Sequence, residues 1–139
     1  MYLDRDLLLS DEQDIGAGGG TAVSTNTIDL TAARKIWHGR ILYVVFIIDE
    51  AFLTSTSINF QVVTDTVEGL GSPTVQIETG AILIGSLTLN RIPIVLPIGS
   101  AIGTTERYLG AQYVEAGSSS TAGKITAFVA LDYTSNMVS

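Results

Sequence analysis

The sequence offers little material for covalent chemistry, and what it offers is badly spaced. It has one histidine, His38, and no cysteine. A Ser–His–Asp relay would have to run through His38, which stands in WHGR (residues 37–40) beside Trp37. A surface turn histidine next to a packed tryptophan accounts for that placement more simply. No nucleophile elbow is present, because Gly99-Ser100-Ala101-Ile102-Gly103 carries its serine one place early. Two glycine-rich runs imitate phosphate loops. In Gly117 to Lys124 (GSSSTAGK) the spacing is one residue too long, and Ile125 stands where a hydroxyl would hold magnesium. A β-branched run follows it, whereas a phosphate loop needs a helix N-terminus. In GAGGG (Gly16 to Gly20), Thr21 replaces the third glycine of a dinucleotide fingerprint. The acidic run from Asp4 to Asp14 could hold calcium only loosely, since in DEQDIG the third and fifth positions are Gln13 and Ile15. The carboxylate pairs Asp49–Glu50 and Asp65/Glu68 fall at expected strand ends, where solvent-facing acids are ordinary. The expectation is a protein that is not an enzyme and carries no cofactor or metal.

The elements that would position these residues are almost all β. Short β-branched runs alternate with Gly, Ser, Asn and Pro, the pattern of a sandwich or barrel. In KITAFVALDY, Ile125, Ala127, Val129, Leu131 and Tyr133 fall on one face and Thr126, Phe128, Ala130 and Asp132 on the other. Ile41 to Asp49 (ILYVVFIID) is apolar on both faces, which predicts a central strand covered on both sides. Pro93 and Pro97 place IPIVLPIG at an edge or bulge. Further strands are expected at Thr21–Ser24, Ile58–Val62, Val75–Glu78, Ala81–Leu87 and Arg107–Glu115. AGSSSTAG (116–123) reads as a flexible hairpin loop. One short helix is expected at Thr31–Trp37, with Thr31 as N-cap. The fold class is all-β: a jelly roll or related two-sheet β-sandwich of about eight strands.

Ahead of this domain, residues 1–20 read as an N-terminal arm on a glycine hinge, leaving 21–139 as the domain. The alternative for the arm is that it folds back as an edge strand. The arm's leucines, Leu7, Leu8 and Leu9, cannot all face one core from a single strand.

Composition narrows the partners. Seven Lys+Arg against 14 Asp+Glu give a net charge of −7, and so few cations argue against binding a nucleic-acid backbone. The longest apolar run, Ile41 to Ile48, is far shorter than the ~20 residues of a membrane helix. The N-terminal MYLDRDLLLS lacks the form of a signal peptide. Ser, Thr and Gly supply 42 of the 139 residues, and charged residues only 15%. Such a surface suits an object covered by neighbours, because interface cores are poor in charge.

The run LLLSDEQ (Leu7 to Gln13), TAVSTNTIDL (Thr21 to Leu30) with AAR (Ala32 to Arg34), and LYVVFIIDEAF (Leu42 to Phe52) resemble the small capsid cement, or decoration, proteins of tailed bacteriophages. Ser72-Pro73, IPIVLPIG, RYLGAQYV and TAGKITAFVALD extend the resemblance along most of the chain. It implies a jelly-roll homo-oligomer on the outer surface of the virion, assembled in the host cytoplasm. There it would bind the major capsid protein across subunit seams and hold the shell against packaged DNA. Dimer and trimer both remain open. Leu7, Leu8, Leu9, Trp37 and Phe128 are the candidate contacts with capsid or sister subunits, each against the alternative of core packing. Deleting residues 1–20 is then expected to leave a folded domain that no longer attaches. Rival readings are a carbohydrate-binding or adhesion module of the virion, a tail or neck component, and a hydrolase on a sandwich scaffold.

Overall fold

Alternation of side chains decides which residues pair and which face they bury. In a computed structural model, which describes residues 8–15, 20–29, 42–89, 92–98 and 106–130, the strands are β1 (Leu8–Asp14), β2 (Thr21–Val23), β3 (Ile28–Asp29), β4 (Leu42–Leu53), β5 (Ser57–Asp65), β6 (Thr74–Leu83), β7 (Ile94–Ile98), β8 (Tyr108–Ala116) and β9 (Ala122–Ala130). A single 3-10 turn, Ile84–Ser86, follows β6. One antiparallel sheet has the order β1-β9-β4-β7, and the other β2-β8-β5-β6 with β3 also on β8. β2 and β3 occupy one lane against β8, so nine strands fill eight lanes. Consecutive strands repeatedly change sheets, and the two orders together are those of a jelly roll.

Apolar side chains fill the space between the sheets. Val44, Phe46 and Ile48 of β4 meet Ile58, Phe60 and Val62 of β5, with Ala111 and Tyr113 of β8 and Ile125, Ala127 and Val129 of β9. Phe46, Phe60 and Tyr113 form an aromatic cluster at the centre. The Phe46–Phe60 centroids are 5.4 Å apart, and both meet Tyr113 edge-on at 6.1 and 5.9 Å. Such pairs each add roughly 0.5–1.5 kcal/mol beyond the area they bury.

Several expectations agree with this arrangement. β4 is central, with Val45, Tyr43 and Ile47 packing on its outer side in a second apolar cluster. β7, with Pro97 in it, is an edge strand. β9 divides its residues between faces as the alternation requires.

Others are corrected. Residues 8–14 are no free arm: β1 pairs antiparallel with β9, Leu8 opposite Phe128 and Asp14 opposite Lys124. The runs 75–78 and 81–87 are one strand, β6, followed by the 3-10 turn. Between Asn59↔Ala81 and Gln61↔Glu78 the register slips by one residue, and Gly80 sits there at φ +77°. That bulge flips the face of everything beyond it and breaks the period of two. The segment 116–123 is no hairpin, because β8 and β9 lie in different sheets. The expected helix at 31–37 and the hinge residues 16–19 lie outside the described residues.

Candidate functional site

The topology gathers the β4–β5 turn, the 3-10 turn after β6 and the β8–β9 crossing at one end of the sandwich, here called the tip. Leu53 stands opposite Ala122, and Ser57 opposite both Leu83 and Ala116. Backbone bonds tie these segments to one another. Thr56 N–H donates to Ala116 O at 2.8 Å, Ile84 N–H to Thr56 O at 3.1 Å, and Thr121 N–H to Leu53 O at 3.1 Å. The hydroxyls of Thr54 and Thr121 are 2.6 Å apart. Behind them Glu115, almost fully buried, accepts from the N–H of Ser120 at 2.8 Å and from its hydroxyl. Ser120 Oγ also reaches Ser55 Oγ at 3.0 Å. The other Glu115 oxygen, Oε1, is buried without a hydrogen-bond partner. Thr54 is β-branched yet held at φ 86°, a strained conformation of the kind that clusters where a loop is shaped for use.

The opposite end is built on charge. Asp65 accepts from Ser72 N–H at 2.8 Å and Thr66 N–H at 2.6 Å, closing the 66–72 loop. The N–H of Ser72 above all, helped by those of Thr66 and Val67, holds the Asp65 carboxyl below its usual range against desolvation pushing it up. The loop brings Leu70 over β8, where a β-carbon on Gly110 would come within 2.5 Å of Leu70 Cδ1. Arg107 grips Asp29 with two bonds of 2.6 and 2.7 Å and lies 5.3 Å from the ring centroid of Tyr108. Both partners of that pair are well exposed, so it contributes at most about 1 kcal/mol.

Between the two ends, the outer face of β8-β5-β6 carries amides gathered around one carboxylate, that of Glu78. Gln112 Nε2 donates to Gln61 Oε1 at 2.8 Å. Gln61 Nε2 and Asn59 Nδ2 both donate to Glu78 Oε2, at 2.7 and 3.0 Å.

Of the five residues expected to make contacts, Leu8 and Phe128 stand opposite each other on the outer side, and Leu9 faces the other way. Leu9 is fully buried in the main core. Phe128 is 1% exposed, in the outer apolar cluster with Val45 and Ala130, and Leu8 packs half-buried against it. All three therefore serve packing in the isolated chain. Leu7 and Trp37, and with them His38, lie outside the described residues. The exposed large apolar residues are others: Leu53, Leu83 and Leu89 at or beside the tip, Ile92 ahead of β7, and Val67 and Val75 at the charged end. The sequence does carry a signal for the first three. Each lies in a run with no charged residue, and Leu53 and Leu83 are the last residues of β4 and β6.

Among the described residues, no group of three or more His, Asp or Glu is placed to hold a metal ion, and no helix is long and apolar enough to cross a membrane. A family model described as Bbp16 matches residues 9–129. No curated protein matches the sequence.

Proposed function

This chain belongs to the Bbp16 family, and we propose that it is a structural protein of a virus particle, a cement or decoration protein on the outer surface of a phage head. In this reading it bridges neighbouring subunits of the major capsid protein, adds itself as a small homo-oligomer in the host cytoplasm, and transforms no substrate. The resemblance of its segments to phage cement proteins and the jelly-roll order of its sheets both support the reading. The observation that carries it is the surface: a sandwich that leaves leucines and isoleucine exposed among hydroxyls and amides. Burial between neighbours is the physical use of such a surface, since interface cores are depleted of charge. The acidic balance suits the outer side of the shell, away from packaged DNA.

Purified particles test the proposal. A cement protein is present in hundreds of copies, in fixed ratio to the major capsid protein. Particles lacking it should release their DNA at a lower temperature, and adding the protein back should restore the wild-type release temperature. A few copies per particle, or heat release unaffected by its removal, would defeat the reading.

A further inference from the structure

Resting on that reading, we propose that the tip is the docking surface, and that it seats on an uncharged, partly apolar patch of the shell protein. The carrying observation is how the charge is distributed. The chain has 21 Asp, Glu, Lys and Arg residues in all. The segments that build the tip, 51–57, 79–89 and 116–123, are 26 residues without one of them. Among the described residues the charges bordering these segments are Glu50, Glu78 and Lys124: Glu50 and Asp14 both stand opposite Lys124 on the strands behind, Glu50 Oε1 accepts from the N–H of Gly123 at 3.0 Å, and Glu115 is sealed beneath Ser120. The far end holds Asp29, Asp65, Glu106 and Arg107. Leu53, Leu83 and Leu89 are 56%, 66% and 62% exposed on the charge-free side.

Three physical arguments turn this segregation into a docking surface. A partner approaching the far end meets Asp29, Asp65, Glu106 and Arg107 and must desolvate charge. At the tip it displaces water only from leucines, hydroxyls and glycines, the composition of an interface core. The tip is also preorganised, because its segments are bonded to one another before any partner arrives, so little ordering cost remains on contact.

Size selects the occupant. Strands ~4.8 Å apart in sheets ~10 Å apart give the end of such a sandwich roughly 400 Å². A stable one-to-one interface needs about 800 Å² from each partner. Two copies joined tip to tip would therefore bury less than a stable dimer needs. A shell offers the same patch at every seam, and a homo-oligomer engages several patches together, so contacts of this size multiply into firm attachment.

Paired substitutions of equal chemistry at the two ends provide the test. The double variant Leu53→Lys/Leu83→Lys puts charge on the tip at exposed positions. The double variant Val67→Lys/Val75→Lys does the same at the charged end. Each full-length protein is added to shells of the same virus purified without it, and bound copies are counted, with melting curves confirming that both variants fold. The tip variant should lose at least tenfold in occupancy, while the other stays within about twofold of wild type. Equal occupancy of the two variants, or loss confined to the Val67/Val75 variant, overturns the inference and leaves the cement reading standing. Wild-type protein that does not bind shells at all sinks the cement reading itself. The free protein's size is measured alongside by sedimentation. A wild-type oligomer that the tip substitutions dissolve would show that a second copy occupies the tip, and would overturn the assignment to the shell.

Discussion

Tyr113 shows how one side chain joins the two sheets. It projects from β8 into the core, and its hydroxyl is 2.7 Å from Ser10 Oγ on β1, in the other sheet. Ser10 donates onward to Gln13 Oε1 at 2.6 Å. Gln13 Nε2 in turn donates to Val23 O at 2.8 Å, and its Oε1 accepts from Thr25 N–H at 3.0 Å. This chain of bonds satisfies polar groups that would otherwise be costly to bury. Burial pushes the Tyr113 phenol well above its ordinary range, against a smaller downward pull from Ser10. The sign of the pH effect follows from that shift. An unfolded tyrosine ionises near pH ~10, whereas the folded one stays neutral there. Tyr113 therefore contributes fully to stability below about pH 10 and loses that contribution as pH rises further. Tyr113→Phe should cost about 1 kcal/mol at neutral pH through the lost hydrogen bond. It should also flatten the alkaline limb of a melting-temperature profile between pH 9 and 11. An unchanged alkaline limb would mean that other groups govern it.

At the scale of elements, legibility followed regularity. β4 and β9 were readable because their residues keep a strict period of two and pair without interruption through Tyr43↔Ala130 to Ile48↔Ile125. β6 was not readable as one strand, because the slip at Gly80 inverts its faces. β1 was hidden for a related reason. It bulges against β9 between Leu8 and Ser10 and again between Ser10 and Gln13, and Glu12 takes a positive φ of 45°. Those irregularities let Leu9 and Ser10 both turn inward, Leu9 into the core and Ser10 onto Tyr113, which no unbroken strand allows for adjacent residues, while Leu8 packs on the outer side. The tip was only half readable: its lack of charge is plain in the sequence, but its convergence is a product of topology. At the start of β9, Gly123 meets a constraint of its own. Its φ is +133°, and a β-carbon there would overlap the ring of Phe52, which is buried. Gly123→Ala should therefore destabilise by about 2–4 kcal/mol, combining backbone strain with overpacking. Gly85→Ala, where a β-carbon meets nothing within 4 Å, should change stability by less than about 1 kcal/mol. Denaturant titration of the two variants side by side makes the comparison. Equal midpoints would remove the claim that Gly123 is locked against Phe52.

For the molecule as a whole, the four sheet edges decide how it can meet others. An exposed strand edge invites pairing with any extended chain, and proteins blunt it with proline, charge, bulges or brevity. β7 is five residues long and contains Pro97. β1 carries Asp11, Glu12 and Asp14 and is bulged twice. β6 slips register twice along β5. β2 and β3 are three and two residues long. Every edge is thus defended, and contact with partners falls to side chains and turns instead of strand addition. The defence at β1 predicts what truncation does, and it reverses the expectation that residues 1–20 are dispensable to the fold. Removing them strips β1 from β9, takes Leu9 out of the core at a cost of roughly 1.5–3 kcal/mol, and leaves Tyr113 and Gln13's other partners unbonded. It also converts β9, with Ile125, Ala127 and Phe128 in a regular ladder, into a bare apolar edge. The truncated protein should melt at least ~6 °C lower, at the roughly 4 °C per kcal/mol expected for a domain of this size, and should aggregate in proportion to its concentration, while the full chain stays dispersed. Light scattering during a thermal ramp reads both effects. A truncated chain that melts with the full-length protein and stays dispersed would show that β9 can stand as an edge without β1.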